Sequence, residues 1–235
     1  MPLDAAIAAD LAAISTATLT TVLLKRGLRR VAMRGPKPFG AASGRRVAGR
    51  AFTMRFAPAR EDLATPESWA SPRSTRAAIE AMEPGDIAVV DAMGVTTAGI
   101  FGDILCARMK KRGLAGLVTD GAVRDGSGVA ATGLPVWCAG MAAPPSVAEL
   151  TFVGWGEPIG CGGVAVMPGD VVVADGDGAV LIPDALLAAV LAEAREQEKL
   201  EAWIMGEVEK GASLPGLYPP NAETKARYDK EKGER

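Results

Sequence analysis

The chain has 235 residues, 49% of them hydrophobic, and a formal net charge of -2, enough apolar material for a sizeable core in one domain and no electrostatic footprint for nucleic acid. It contains no histidine and three widely spaced cysteines, Cys106, Cys138 and Cys161, which excludes Ser-His-Asp and Cys-His catalysis, imidazole-based zinc sites and a disulfide framework. Acid-base work is left to carboxylates, lysine, tyrosine, cysteine or water, and a metal would need oxygen ligands, which favours Mg2+ or Mn2+.

The N-terminal run MPLDAAIAADLAAIS carries two aspartates and no basic leader, and no apolar run reaches the roughly 18 residues of a membrane span, so a soluble, cytoplasmic protein is expected. Residues 3–14 read as a first helix. Ser15, Thr16 and Thr18 can cap a second, 19–26, ended at Gly27. Residues 35–44, rich in proline and glycine, read as a loop, and 50–56 alternate as a strand does. Residues 57–75, with Pro58, Pro66 and Pro72 among charged side chains, form a polar loop, either a solvated surface or a flap over a substrate. A helix over 74–82 and the turn Pro84-Gly85-Asp86 lead to a strand over 87–91. Gly94, Gly99 and Gly102 then permit close backbone approach to a ligand, without the spacing of a dinucleotide fingerprint or a P-loop.

The stretch 102–125, GDILCARMKKRGLAGLVTDGAVRD, organises the rest. Ile104, Leu105 and Met109 recur at helical spacing, with cations gathering towards the helix end at Arg108, Lys110, Lys111 and Arg112. Gly113 stops the helix, and 114–118 form a buried strand that delivers Asp120, Arg124 and Asp125 to a loop. If helix packs on strand, the free amides of Ile104 and Leu105 and the Asp103 carboxylate share one end with Arg124 and Asp125. Donors, a guanidinium and carboxylates together suit an anionic substrate beside a divalent cation.

Further on, 129–132 read as a short helix, 134–138 as a strand, and 139–158 as irregular with a strand near 149–153. A second Pro-Gly-Asp turn at 168–170 opens a strand over 171–174, and Asp175 to Gly178 turn tightly into 179–182. Asp175 and Asp177 read as turn residues, since no twelve-residue calcium loop follows. A long amphipathic helix runs from 184 to about 210. The expected organisation is one α/β domain over 1–214 and a charged, frayed tail over 215–235.

Gly102-Asp103 opening a helix, the run Gly113 to Gly121, Asp120-Gly121 followed by Arg124-Asp125, and the block GGVAVMPGDVVVADGDGAVLIP from Gly162 resemble the RraA-like family. That family comprises class II aldolases acting on 4-hydroxy-4-methyl-2-oxoglutarate and 4-carboxy-4-hydroxy-2-oxoadipate, and the regulator of ribonuclease E activity. The resemblance implies a swivelling α/β/β/α sandwich assembled as a homotrimer or dimer of trimers. It also implies a metal-dependent lyase that releases pyruvate from a short 2-oxo acid by retro-aldol cleavage or oxaloacetate decarboxylation. Asp125 would be nearest the metal. Arg124 and the amides at Gly102, Ile104 and Leu105 would hold the substrate carboxylate, and Asp103 would orient a proton-shuttling water. Asp120 would assist, or serve only as a turn residue. A glutamate of a neighbouring subunit lines the family's site, for which Glu198 and Glu201 are candidates. The family's aldolase pattern is an acid, twenty residues, Arg-Asp, two residues and another acid; Ser127 and Gly128 stand where the last acid is expected. That departure keeps open a non-catalytic protein that binds a ribonuclease. Schiff-base chemistry is disfavoured, because Lys110 and Lys111 lie in an exposed cationic patch.

Overall fold

The computed structural model describes residues 2–233; Met1, Glu234 and Arg235 lie outside the described residues. Helices α1 (Ala5–Ala12) and α2 (Thr16–Lys25) precede strands β1 (Ala32–Met33), β2 (Lys37–Gly40) and β3 (Val47–Pro58). Helix α3 (Thr75–Ala81), strand β4 (Ile87–Asp91), helix α4 (Asp103–Lys111) and strands β5 (Gly116–Thr119) and β6 (Ala122–Val123) follow. Next come α5 (Gly126–Ala131), β7 (Pro135–Cys138), β8 (Gly140–Met141), β9 (Leu150–Trp155), β10 (Ile159–Cys161) and β11 (Val164–Val166). The chain closes with β12 (Val171–Ala174), β13 (Ala179–Ile182), α6 (Leu187–Glu209) and α7 (Ala222–Gly233).

The main sheet runs β1-β13-β12-β3-β4-β5-β7-β2, with β9 added on β3. Strand β3 is the pivot: Val47 to Arg50 pair antiparallel with β12, Ala51 to Arg55 pair parallel with β4, and its end pairs with β9. The sheet therefore curls over itself into two faces, each covered on its outside by helices. Side-chain alternation shows the layering directly. Val171, Val173, Val180 and Ile182 pack outward with residues of α1, α2 and α6. Val172, Ala174, Ala179 and Leu181 pack inward against Ile87, Val89, Val118 and Trp137. Ala88, Val90, Leu117 and Val136 face the second helical layer, α3 to α5. Each fully buried valine or leucine contributes about 1.5–3 kcal/mol. This is the expected α/β/β/α sandwich.

Three hydrogen-bonded carboxylates hold corners of the frame. Asp86 and Asp170, in the two Pro-Gly-Asp turns, each accept the amide three residues earlier, from Glu83 and Met167 at 2.9 Å. Asp175 accepts from the Thr16 amide at 2.9 Å, the Thr16 hydroxyl at 2.7 Å and the Asp177 amide at 3.0 Å, with Arg46 at 3.4 Å. Burial opposes its ionisation, but these partners outweigh it and hold the carboxyl below its ordinary range.

Several segments differ from the sequence reading. The loop expected over 35–44 contains β2, which exists only because it pairs with β7, a partner about a hundred residues away in the chain (Lys37 opposite Cys138). Part of the polar loop, Pro66–Ala70, is a 3-10 helix. Strands β10 and β11 form a hairpin whose two-residue turn, Gly162-Gly163, takes positive φ at both positions, 58° and 78°, as such turns require. The tail expected to fray instead forms α7. Its cations meet the acidic face of α6: Arg227 pairs with Glu207 and Lys232 with Glu196. The Tyr228 ring lies edge-on to Trp203 at 5.8 Å. Among the described residues, no single helix is long and apolar enough to cross a membrane; α1 and α2 pass together by composition but meet at 98°.

Candidate active site

The site is assembled by a short backbone ladder. Strand β5 ends at Thr119, and after Asp120-Gly121 the chain runs through β6 to Arg124 and Asp125. The segment leading into α4 lies alongside: Gly99 bridges Ala122 in parallel, Ile100 N donates to Ala122 O at 2.9 Å, and Arg124 N donates to Phe101 O at 2.9 Å. This stitching brings the first turn of α4 against the Arg124-Asp125 loop. On its other side β6 pairs with β8, Val123 opposite Met141, so Met141 flanks the site.

Three glycines of ordinary backbone conformation receive the three charged side chains. An ideal Cβ built on Gly99 would lie 2.6 Å from Arg124 Cβ, one on Gly102 would lie 2.5 Å from Asp125 Oδ2, and one on Gly128 would lie 2.7 Å from both Cβ and Oδ2 of Asp103. Asp125 itself sits in the left-handed region, φ 54° and ψ 46°, at the N-cap of α5. An αL residue other than glycine costs roughly 1 kcal/mol, least for Asp and Asn. Its carboxylate makes no capping bond and accepts instead from Arg124 Nε at 3.2 Å, with both side chains part-exposed. Asp103 is the first residue of α4, Gly102 being the cap, and its Oδ1 accepts from Ile104 N at 2.7 Å. The Ile104 amide, expected to be open, is thus occupied by its neighbour, whereas Leu105 N has no acceptor within its helix turn. Ile104 and Met141 are 78% and 57% exposed beside these groups.

Two carboxylates, a forked guanidinium and a first-turn amide within one patch suit recognition of an oxo acid with a hard cation. A family model described as RraA-like, Aldolase/RraA, matches residues 12–181. The chain belongs to the RraA-like family. It is 39% identical over 118 residues to a Halalkalibacterium halodurans protein named "Putative 4-hydroxy-4-methyl-2-oxoglutarate aldolase", covering 49% of this chain and 54% of that one. A Burkholderia mallei protein of the same name is 32% identical over 152 residues, 64% of this chain and 82% of that one. The chain therefore spans only about half the length of the first of these relatives. Among solved structures, Streptomyces coelicolor RraAS2, described as an unusual member of the RNase ES inhibitor RraA protein family, superposes with a TM-score of 0.76. It is 36% identical, covering 86% of this chain and 96% of that one.

Within this RraA-like frame the other candidates have different partners. Asp120 is buried, and its two oxygens accept from Ala92 N at 2.8 Å and Gly162 N at 3.1 Å. Burial raises its pKa, with the amides opposing. It ties the loop after β4 to the β10–β11 hairpin; its bonds run to backbone and not to the arginine. Glu198 accepts from Ser15 N at 2.8 Å; burial opposes its ionisation, but the Ser15 and Thr18 donors hold its pKa low. Glu201 accepts from Gln197. Cys106 is buried, which pushes its thiol up to about 12, so it is no nucleophile. Sequence marks Gly99 only as one of the ligand-approach glycines, and Met141 carries no local signal because β8 brings it from another segment.

No group of three or more His, Cys, Asp or Glu converges among the described residues. The chain's donors beside Arg124 are the carboxylates of Asp125 and Asp103, both oxygen ligands. Such a sparse hard set fits an ion that keeps several waters, as Mg2+ does.

Proposed function

We propose that this chain is a divalent-metal-dependent lyase that cleaves a C–C bond of a short 2-oxo acid and releases pyruvate. The candidate reactions are retro-aldol cleavage of a 4-hydroxy-4-methyl-2-oxoglutarate type of substrate and decarboxylation of oxaloacetate. The observation that carries this reading is the convergence of Arg124, Asp125 and Asp103 around the first turn of α4. Asp125 would hold Mg2+ or Mn2+, with Asp103 reaching it through water. The ion, when bound, supplies a Lewis acid for the electron pair released at the oxo group.

The chain's own groups do the rest. Arg124 grips the substrate carboxylate with two parallel N–H donors, a geometry lysine lacks. The Leu105 amide adds a third donor at the positive end of α4. Asp103, through a water, accepts the proton of the 4-hydroxyl as the C3–C4 bond breaks and returns it to C3, completing pyruvate. In oxaloacetate the leaving group is CO2, no hydroxyl proton is released, and the water held by Asp103 passes a proton drawn from solvent to C3. Asp120 keeps the adjoining loops in register and is a positioning residue. The exposed Ile104 and Met141 suit burial against a neighbouring copy, in a homotrimer or dimer of trimers in the cytoplasm.

The test is pyruvate release from oxaloacetate and branched 4-hydroxy-2-oxo acids. It should require Mg2+ or Mn2+, stop with EDTA, and fall about a hundredfold or more in Arg124→Ala, the usual cost of one preorganised oxyanion or carboxylate contact. Release that survives both treatments refutes the reading. The likeness to RraAS2 favours a second reading, a protein that regulates a ribonuclease by docking on it; inactivity across the panel with capture of a ribonuclease would select it.

A further inference from the structure

A side chain at position 128 and the observed place of Asp103 exclude one another. Gly128 lies inside α5 and has no positive φ, so its backbone does not require glycine. Glycine within a helix is less favourable than alanine by about 1 kcal/mol, and a local compensation is therefore needed. The volume an ideal Cβ would take is filled by Asp103: Cβ and Oδ2 at 2.7 Å, Cγ at 3.1 Å. The Cβ contact is rooted in the first residue of α4 and cannot swing away as a chain end could. Asp103 is held from its other side as well, since Oδ1 is engaged by Ile104 N at 2.7 Å.

We infer that Gly128 is a positioning residue of the lyase site: its bare Cα is the seat of the Asp103 carboxylate. This rests on the proposed lyase reading. The departure from the family's acidic pattern at this position and the placement of Asp103 are then one feature. With the backbone placed as it is in this chain, a side chain at 128 would press on Asp103 Cβ and shift the Asp103 carboxylate.

The decisive experiment is a cycle of four full-length proteins: wild type, Gly128→Ala, Asp103→Gly and the double variant. Asp103→Gly removes both of the 2.7 Å contacts. Gly128→Ala should lower Tm by roughly 3 °C or more in the wild-type background, yet leave it unchanged or raised in the Asp103→Gly background, where only helix propensity acts. In pyruvate release from oxaloacetate with Mg2+, Gly128→Ala should lose as much kcat as Asp103→Gly, with KM within about twofold, and the double variant should lose no more. Equal Tm losses in both backgrounds, or wild-type kcat in Gly128→Ala, overturn the inference. If Gly128→Ala alone does not fold, folding of the double variant supports the seat and its failure refutes it. A wild type that makes no pyruvate sinks the lyase reading, while the Tm cycle still decides the seat.

Discussion

Arg124→Lys is the sharpest perturbation of the proposed substrate grip, because it keeps the charge and changes only the donor geometry. The arginine backbone is fixed by its own amide to Phe101 O at 2.9 Å, and its Cβ rests on Gly99. Its Nε is engaged by Asp125 Oδ2 at 3.2 Å, so the outer edge of the guanidinium is what faces a ligand. Lysine reaches the same region with a single ammonium, giving up one of two parallel charged hydrogen bonds and the bond to Asp125. One charged hydrogen bond is worth about 1.5–3 kcal/mol, which converts to a loss of about 10- to 150-fold in kcat/KM. Both partners are part-exposed, so Tm should move by no more than about 2 °C. Pyruvate release read through a coupled NADH assay, beside a thermal melt of the same preparation, separates the two effects. A lysine variant within threefold of wild type would mean that the fork does not grip the substrate.

Two other substitutions test separate parts of the frame. Gly102→Ala places a methyl 2.5 Å from Asp125 Oδ2 at a residue with φ -109°, which alanine adopts freely; fold stability should persist while half-saturating Mg2+ rises about tenfold or more, about one charge-assisted ligand contact. An unchanged Mg2+ titration would count against Asp125 as the ion's holder. Asp175→Asn turns an NH2 towards the Thr16 donors and should cost about 2–4 kcal/mol, or about 4–16 °C in Tm. The Asp175 carboxyl is held below its ordinary range, so its contribution is present above the unfolded pKa near 3.9 and is lost as pH falls through the lower folded value. The Tm gap between wild type and variant should therefore close below about pH 4, and a gap that widens there would contradict the assignment.

What could be read in advance followed from local physics. The aliphatic strands β4, β12 and β13, the two Pro-Gly-Asp turns and the cation-ended helix α4 declare themselves within a few residues. What could not be read depended on distant partners. Strand β2 is a Pro- and Gly-containing run that pairs only because the edge of β7 is free to receive it. Helix α7 has few apolar residues, and its order comes from Trp203, Glu196 and Glu207 on α6. For the site, the meeting of Asp103 with Arg124-Asp125 was legible from one helix-strand unit. The ladder that fixes it, and the glycine beneath each side chain, belong to tertiary approach. Gly128 is legible only as an absent acid, because its approach to Asp103 joins two separate helices.

Asp120 and Asp125 illustrate why residue type could not rank the carboxylates. Both follow the same strand within a few positions, and both precede a glycine. Asp120 is buried, and each of its oxygens is spent on a backbone amide of a different loop. Such a group is costly to disturb and has little left to offer a ligand. Asp125 is part-exposed in a strained backbone conformation, its side chain makes no capping bond, and one of its carboxylate oxygens accepts from the part-exposed Arg124. The main-chain oxygen of Asp125 accepts from Val129 N at 2.9 Å, so the left-handed conformation starts α5 while its carboxylate stays beside Arg124. The same accounting separates Glu198, committed to the Ser15 amide, from Asp103, whose second oxygen rests on a bare glycine. Free valence at a fixed position, more than charge, marks the groups this site can bring to a substrate.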